Sequence, residues 1–199
     1  MNGILNVYKE AGWTSHDVVA KVRRIIGQKK VGHTGTLDPD AEGVLPLCLG
    51  KATRAADMLT DQTKTYEAEL LLGVTTDTQD AGGKILERRD VRCTREEFCS
   101  CAAGFLGEQL QVPPMYSALK KNGKKLYELA REGKTVEREP RKVHFYEITV
   151  LDVQFPKARL RVTCSKGTYI RTLCHDIGER LGCGACMEHL LRTRVGMFS

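Results

Sequence analysis

Between Val31 and Pro39 the chain runs Val-Gly-His-Thr-Gly-Thr-Leu-Asp-Pro, nine residues that hold two glycines and a proline. Such a stretch excludes regular helix and predicts a shaped loop, because glycine supplies backbone freedom and proline removes a donor. A helix is predicted to lead into it. Thr14-Ser15-His16-Asp17 matches a capping box, and Val18, Val22, Ile25 and Ile26 follow the 3.6-residue period behind it. Its outward residues include Lys21, Arg23 and Arg24. Pro39 also keeps Asp38 out of the α region, so the loop can aim a carboxylate at a defined angle. Locally, Asp38 can equally cap the turn Pro39–Gly43 as an Asx turn.

The rest of the chain alternates in type. Tyr66–Leu72 reads as a strand entering a turn-rich stretch, Gly73–Gly83. Thr94-Arg95-Glu96-Glu97 is a second capping box, with Phe98, Ala102 and Phe105 at helical spacing behind it. Val143–Val153 and the alternating Ala158, Leu160, Val162 and Cys164 predict a hairpin closed near Phe155-Pro156. Ile170, Leu173, Cys174, Ile177 and Leu181 mark an amphipathic helix ended by Gly182. With 199 residues, 41% of them apolar, and no internal repeat, the prediction is one mixed α/β domain of the α+β type over residues 1–199.

Charge is unevenly placed. The net charge is +6, and the segment 117–142 alone carries +5 from nine Lys or Arg and four Glu. These cations are Lys120, Lys121, Lys124, Lys125, Arg131, Lys134, Arg138, Arg141 and Lys142. A second cluster comprises Lys21, Arg23, Arg24, Lys29 and Lys30. Dense positive charge is what a phosphate backbone rewards, although a solvated lysine-rich surface has the same composition.

The N-terminal residues lack the basic start and apolar run of a signal peptide, and no segment is apolar for long enough to span a membrane. The eight cysteines are therefore expected as reduced thiols in a cytoplasmic protein. Cys183-Gly-Ala-Cys186, near His175 and His189, is the one metal-like spacing, but a second such pair is missing. Gly50-Lys51-Ala52-Thr53 fails the phosphate-loop spacing at both ends. Asp38-Pro39-Asp40 lacks the apolar strand that precedes a phosphatase Asp-x-Asp.

The string Gly32-His33-Thr34-Gly35-Thr36-Leu37-Asp38-Pro39-Asp40-Ala41-Glu42-Gly43-Val44-Leu45-Pro46 resembles the signature loop of the TruB family of tRNA pseudouridine synthases. Ala11–Asp17, Lys64-Thr65-Tyr66 with Leu72-Gly73 and Thr76-Asp77-Thr78, Pro113–Ala118, and Cys164–Arg171 resemble four further motifs of that family, in order. Lys9-Glu10 departs from its usual Lys-Pro. The resemblance implies a pseudouridine synthase fold, a mixed and mainly antiparallel sheet flanked by helices, with an RNA-clamping basic thumb at about 117–142.

It further implies an isomerase that flips uridine 55 out of the T-arm loop of tRNA and rejoins it through C5. Asp38 would be the catalyst, with Arg171 keeping it ionised and Tyr66 stacking on the uracil. His33 and Thr36 would meet the RNA at the flipped base, and Lys120, Lys121, Lys124, Lys125, Arg141 and Lys166 would meet it along the backbone. A non-catalytic RNA-binding module would have no need for Asp38, Tyr66 and Arg171 together. The reaction involves no redox change and no external nucleophile, so neither cofactor nor metal is expected. A stand-alone monomer with no obligatory protein partner is expected, as is the absence of the PUA-type C-terminal domain usual in bacterial relatives.

Overall fold

The computed structural model describes residues 1–199. Eight strands form one sheet: β1 (Gly3–Lys9), β2 (Val31–His33), β3 (Glu42–Leu49), β4 (Lys64–Leu72), β7 (Gly107–Gln111), β10 (Arg141–Gln154), β11 (Lys157–Cys164) and β12 (Ala185–Val195). Their order is β1-β3-β12-β4-β11-β10-β7, with β2 paired to β3. Only β3 and β12 run parallel; every other pair is antiparallel. The mixed, mainly antiparallel sheet expected of the chain is thus present.

Period-2 patterning explains the central strands. Lys64, Tyr66, Ala68, Leu70 and Leu72 are buried along β4, and Ala158, Leu160, Val162 and Cys164 along β11. These faces pack against α3 (Arg95–Ala103) and α5 (Ile170–Arg180) through Phe98, Ala102, Leu173, Cys174 and Ile177, which makes one 23-residue core. A smaller core joins α1 (Ser15–Ile26) to β2 and β3 through Val18, Val19, Val22, Val31, Leu45, Leu47 and Leu49. Both predicted capping boxes form, at Thr14 with Asp17 and at Thr94 with Glu97. A short helix, α2 (Ala56–Thr60), precedes β4, and no helix is long and apolar enough to cross a membrane.

Several local expectations need correction. Ile25 is 71% exposed, and Val19 takes its place in the apolar stripe of α1. Phe105 lies beyond the end of α3, buried under the Arg180 guanidinium 3.8 Å from its ring centroid. The loop at Val31–Pro39 begins as a short strand, because Val31–His33 pair with Leu47–Leu49. The turn-rich stretch after β4 contains β5 (Val74–Thr76), which pairs with β6 (Ile85–Arg88). Within 117–142, β8 (Lys120–Lys121) and β9 (Lys124–Lys125) make a hairpin, followed by α4 (Leu126–Arg131). The sequence pattern does not predict β12, yet it lies inside the sheet between β3 and β4.

The β3–β12 crossing depends on Gly43. Its φ of 109° is unfavourable for an L side chain, and a Cβ there would overlap the backbone carbonyl of Arg192. Gly43→Ala is expected to lower stability by roughly 2–4 kcal/mol. Gly32→Ala, where a Cβ meets nothing within 4 Å, should stay within about 1 kcal/mol. Urea unfolding of the two variants checks the contrast.

Candidate active site

The loop from Gly35 to Ala41 is held from three sides. The Ser15 hydroxyl, at the start of α1, accepts from the Leu37 N–H at 2.9 Å and donates to the Leu37 carbonyl at 3.2 Å. The fully buried Lys9 donates to the carbonyls of Pro39 (2.9 Å), Trp13 (2.7 Å) and Glu10 (3.0 Å). The Gly12 N–H also donates to the Pro39 carbonyl, at 3.0 Å. From β12, Arg192 donates to the carbonyls of Val44 (2.8 Å), Gly35 (3.1 Å) and Thr36 (3.4 Å). The departure at Glu10 therefore sits next to a residue that braces the loop, since its own carbonyl is one of the Lys9 acceptors.

The turn itself closes between the Asp38 carbonyl and the Ala41 N–H at 3.1 Å. The Asp38 side chain does not cap it but points to Arg171, with Nε–Oδ2 at 2.9 Å and Nη2–Oδ1 at 3.4 Å. The Asx-turn alternative is thereby set aside. Arg171 opens α5, whose start is fixed by the buried Gln111, which donates to the Tyr169 carbonyl at 3.0 Å and accepts from its N–H at 2.8 Å. The guanidinium is buried and also donates to the carbonyls of Thr78 and Tyr116, each at 2.9 Å. Asp80 lies 3.5 Å from it, oriented by the Thr78 hydroxyl (2.7 Å) and the Gly82 N–H (3.1 Å).

Electrostatics at Asp38 differ from the expectation of a carboxylate kept ionised by its arginine. Although 42% of the side chain reaches solvent, the surrounding walls desolvate it. Burial, aided by Asp80 and Asp40, outweighs Arg171 and holds Asp38 above the ordinary aspartate value. Tyr66, on β4, is buried and its phenol is pushed up to about 12, with nearby Arg192 opposing the effect of burial. Lys64 beside it is lowered to about 8 by burial and by Arg192. Burial likewise lowers His33, whose ring meets that of His16 edge-on at 5.2 Å.

Asp38 meets Arg171 directly and Tyr66 lies close enough to feel its charge, with His33 and the exposed Thr36 on the loop that bears Asp38. Lys120, Lys121, Lys124 and Lys125 stand apart on the β8–β9 hairpin, which follows directly on the Tyr116 carbonyl that Arg171 holds. Arg141 is exposed at the start of β10, and Lys166 is ion-paired with Asp61 at 2.7 Å. Sequence reasoning missed Ser15, Lys9, Asp80 and Arg192 as parts of this site. Asp80 had a signal, its place two residues after Thr76-Asp77-Thr78, whereas Arg192 between Leu191 and Thr193 had none.

The cysteine spacing does not build a metal centre. All eight cysteines are free thiols, His189 pairs with Glu42 at 2.8 Å, and no three His, Cys, Asp or Glu side chains converge to hold an ion.

Carbon-detected NMR titration of Asp38 should give a midpoint above the ordinary aspartate value. Arg171→Gln, which removes the opposing cation, should raise it further. A parent midpoint at or below the ordinary value would contradict burial as the dominant cause, and a downward shift in the variant would contradict Arg171 as the opposing cation.

Comparison with known proteins places this geometry in a family. Residues 23–170 match the model of the TruB family pseudouridylate synthase N-terminal domain, and residues 171–199 that of the tRNA pseudouridylate synthase B C-terminal domain. The boundary between the two falls inside one fold, since α5 and β12 complete the core and the sheet. The chain is 55% identical, over its whole length and 69% of the relative's, to tRNA pseudouridine synthase B of Clostridium novyi. It is also 55% identical to that of Alkaliphilus oremlandii, spanning 67% of it. Among solved structures, a chain of a Cbf5-Nop10-Gar1 complex superposes with a TM-score of 0.78 at 36% identity, matching 99% of this chain and 50% of that one. A chain of an H/ACA RNP bound to a substrate RNA containing 2'-deoxyuridine gives 0.74 at 32% identity, over 99% and 48%. On these matches, the chain belongs to the TruB family of tRNA pseudouridine synthases.

Proposed function

We propose that Asp38 catalyses the conversion of uridine to pseudouridine at position 55, in the T-arm loop of tRNA. The observation that carries this reading is a partly exposed carboxylate held at 2.9 Å by a buried guanidinium, near a buried tyrosine. The isomerisation breaks the N1–C1′ bond, turns the uracil and joins C5 to C1′, while C5 loses a proton and N1 gains one. Asp38 serves as nucleophile at C1′ or as base at C2′, both of which require its ionised form. Arg171 orients it, and Tyr66 offers an aromatic face to the base. A uridine inside a folded loop reaches this carboxylate only once it has left the stack, and His33 on the same loop as Asp38 would fill the gap it leaves.

The thumb supports an RNA substrate on physical grounds. Lys120 faces Lys125 and Lys121 faces Lys124 across a two-residue turn, Asn122-Gly123, with φ of 52° and 83°. Like charges directly opposite destabilise a hairpin, and a bound polyanion relieves them. Lys121 is tethered to the Glu137 carbonyl and Lys124 to Glu132, so the hairpin is fixed to the rest of the 117–142 segment. The protein is expected to act as a monomer on free tRNA in the cytoplasm, without a cofactor.

Incubation with a T-arm stem-loop carrying uridine tritiated at C5 tests the reaction. The parent should release tritium and Asp38→Asn should release none while still binding RNA; equal release by both would refute the role of Asp38. Replacing the four hairpin lysines with glutamine should weaken binding and flatten its salt dependence by about 2–3 in log–log slope. An unchanged slope would mean the hairpin does not meet phosphate.

A further inference from the structure

We propose that the outer face of α1, the turn at residues 27–30 and the 3-10 turn at Gly50–Ala55 form a second phosphate-binding surface for the RNA, separate from the thumb. The inference rests on the proposed function, because it takes the RNA substrate as the occupant.

Charge is the first observation. From Val18 to Leu37 there are five Lys or Arg and no Asp or Glu, and from Gly43 to Ala56 two more and again no acid. Seven cations exceed the +6 of the whole chain. Lys21, Arg24, Lys29, Lys30, Lys51 and Arg54 are all exposed, and none is in an ion pair. Elsewhere the surface cations Arg89, Lys157, Arg159, Arg161 and Lys166 each have a carboxylate partner, and the unpaired Arg88 and Arg95 stand next to Glu87 and Glu96 in the chain. A cluster of like charges without counter-charge repels itself, and phosphate is the counter-charge that the substrate brings.

The segments are also knitted into one rigid surface. The Gly50 N–H donates to the Lys30 carbonyl at 2.8 Å, and the Lys51 N–H to Asn2 Oδ1 at 2.7 Å. Arg23 braces the turn through the Val31 carbonyl at 2.7 Å. Finally, α1 begins at Ser15, bonded to Leu37 of the catalytic loop, and its 12 residues run about 18 Å to this patch. RNA seated at Asp38 therefore lies within one helix length of it.

The test compares the parent with K21Q/R24Q/K29Q/K30Q, all exposed positions, and with a K84Q/R88Q control on β6 and its turn. Affinity for full-length tRNA is measured from about 50 to 200 mM salt. The patch variant should bind at least about tenfold more weakly at 100 mM salt, with a log–log slope shallower by at least about 2. The control should match the parent. An unchanged slope in the patch variant, with the parent binding normally, overturns the surface alone. Capture of the parent on anionic vesicles, lost in the patch variant while its tRNA slope stays unchanged, overturns it in favour of a membrane contact. Failure of the parent to bind tRNA or release tritium overturns the functional reading and this inference with it.

Discussion

The site depends on the buried guanidinium of Arg171. Burying a cation is costly unless its donors are met, and here they reach Asp38, the Thr78 and Tyr116 carbonyls and the edge of Asp80. Those partners come from three separate segments: the loop bearing Asp38, the stretch after β5 and the approach to the β8–β9 hairpin. One side chain thus gathers the carboxylate, its neighbouring acid and the root of the basic hairpin. A planar, multidentate donor is suited to this, whereas an ammonium would not reach all of them in one plane.

The loop bearing Asp38 is pre-organised by the same device used twice more. Lys9 and Arg192 are fully buried cations whose partners are main-chain carbonyls of the loop and its flanks. Ser15 adds a reciprocal pair on Leu37. Because carbonyls compensate charge without neutralising it, the region behind the loop keeps a positive character. That character opposes the effect of burial on the Tyr66 phenol and adds to the effect of burial in lowering Lys64, and it sits across from the two acids Asp38 and Asp80. The carboxylate is therefore set between desolvation, which raises its pKa, and Arg171, which lowers it.

Much of this was legible in the sequence where physics is local. Capping boxes at Thr14 and Thr94, a strand at Tyr66–Leu72 and the alternation along β11 appear as read, and the glycine-rich loop does so beyond His33. The convergence of Asp38, Tyr66 and Arg171 was legible only through the family resemblance, because 133 residues separate Asp38 from Arg171. What escaped was non-local. Strand β12 carries Arg192 and Arg194 among its apolar residues, so its alternation is hidden until β3 and β4 flank it. Lys9 looks like the polar end of a strand, and only the fold buries it. The upward direction at Asp38 likewise depends on walls contributed by distant segments.

The most direct test of the central claim is a structure of the protein bound to a T-arm stem-loop in which the target is 5-fluorouridine, whose C5 has no proton to release. A nucleotide turned out of the loop is expected, its base against Tyr66 and its ribose beside the Asp38 carboxylate, with the phosphates along the β8–β9 hairpin. A base still stacked in the loop, or a ribose seated away from Asp38, would contradict it.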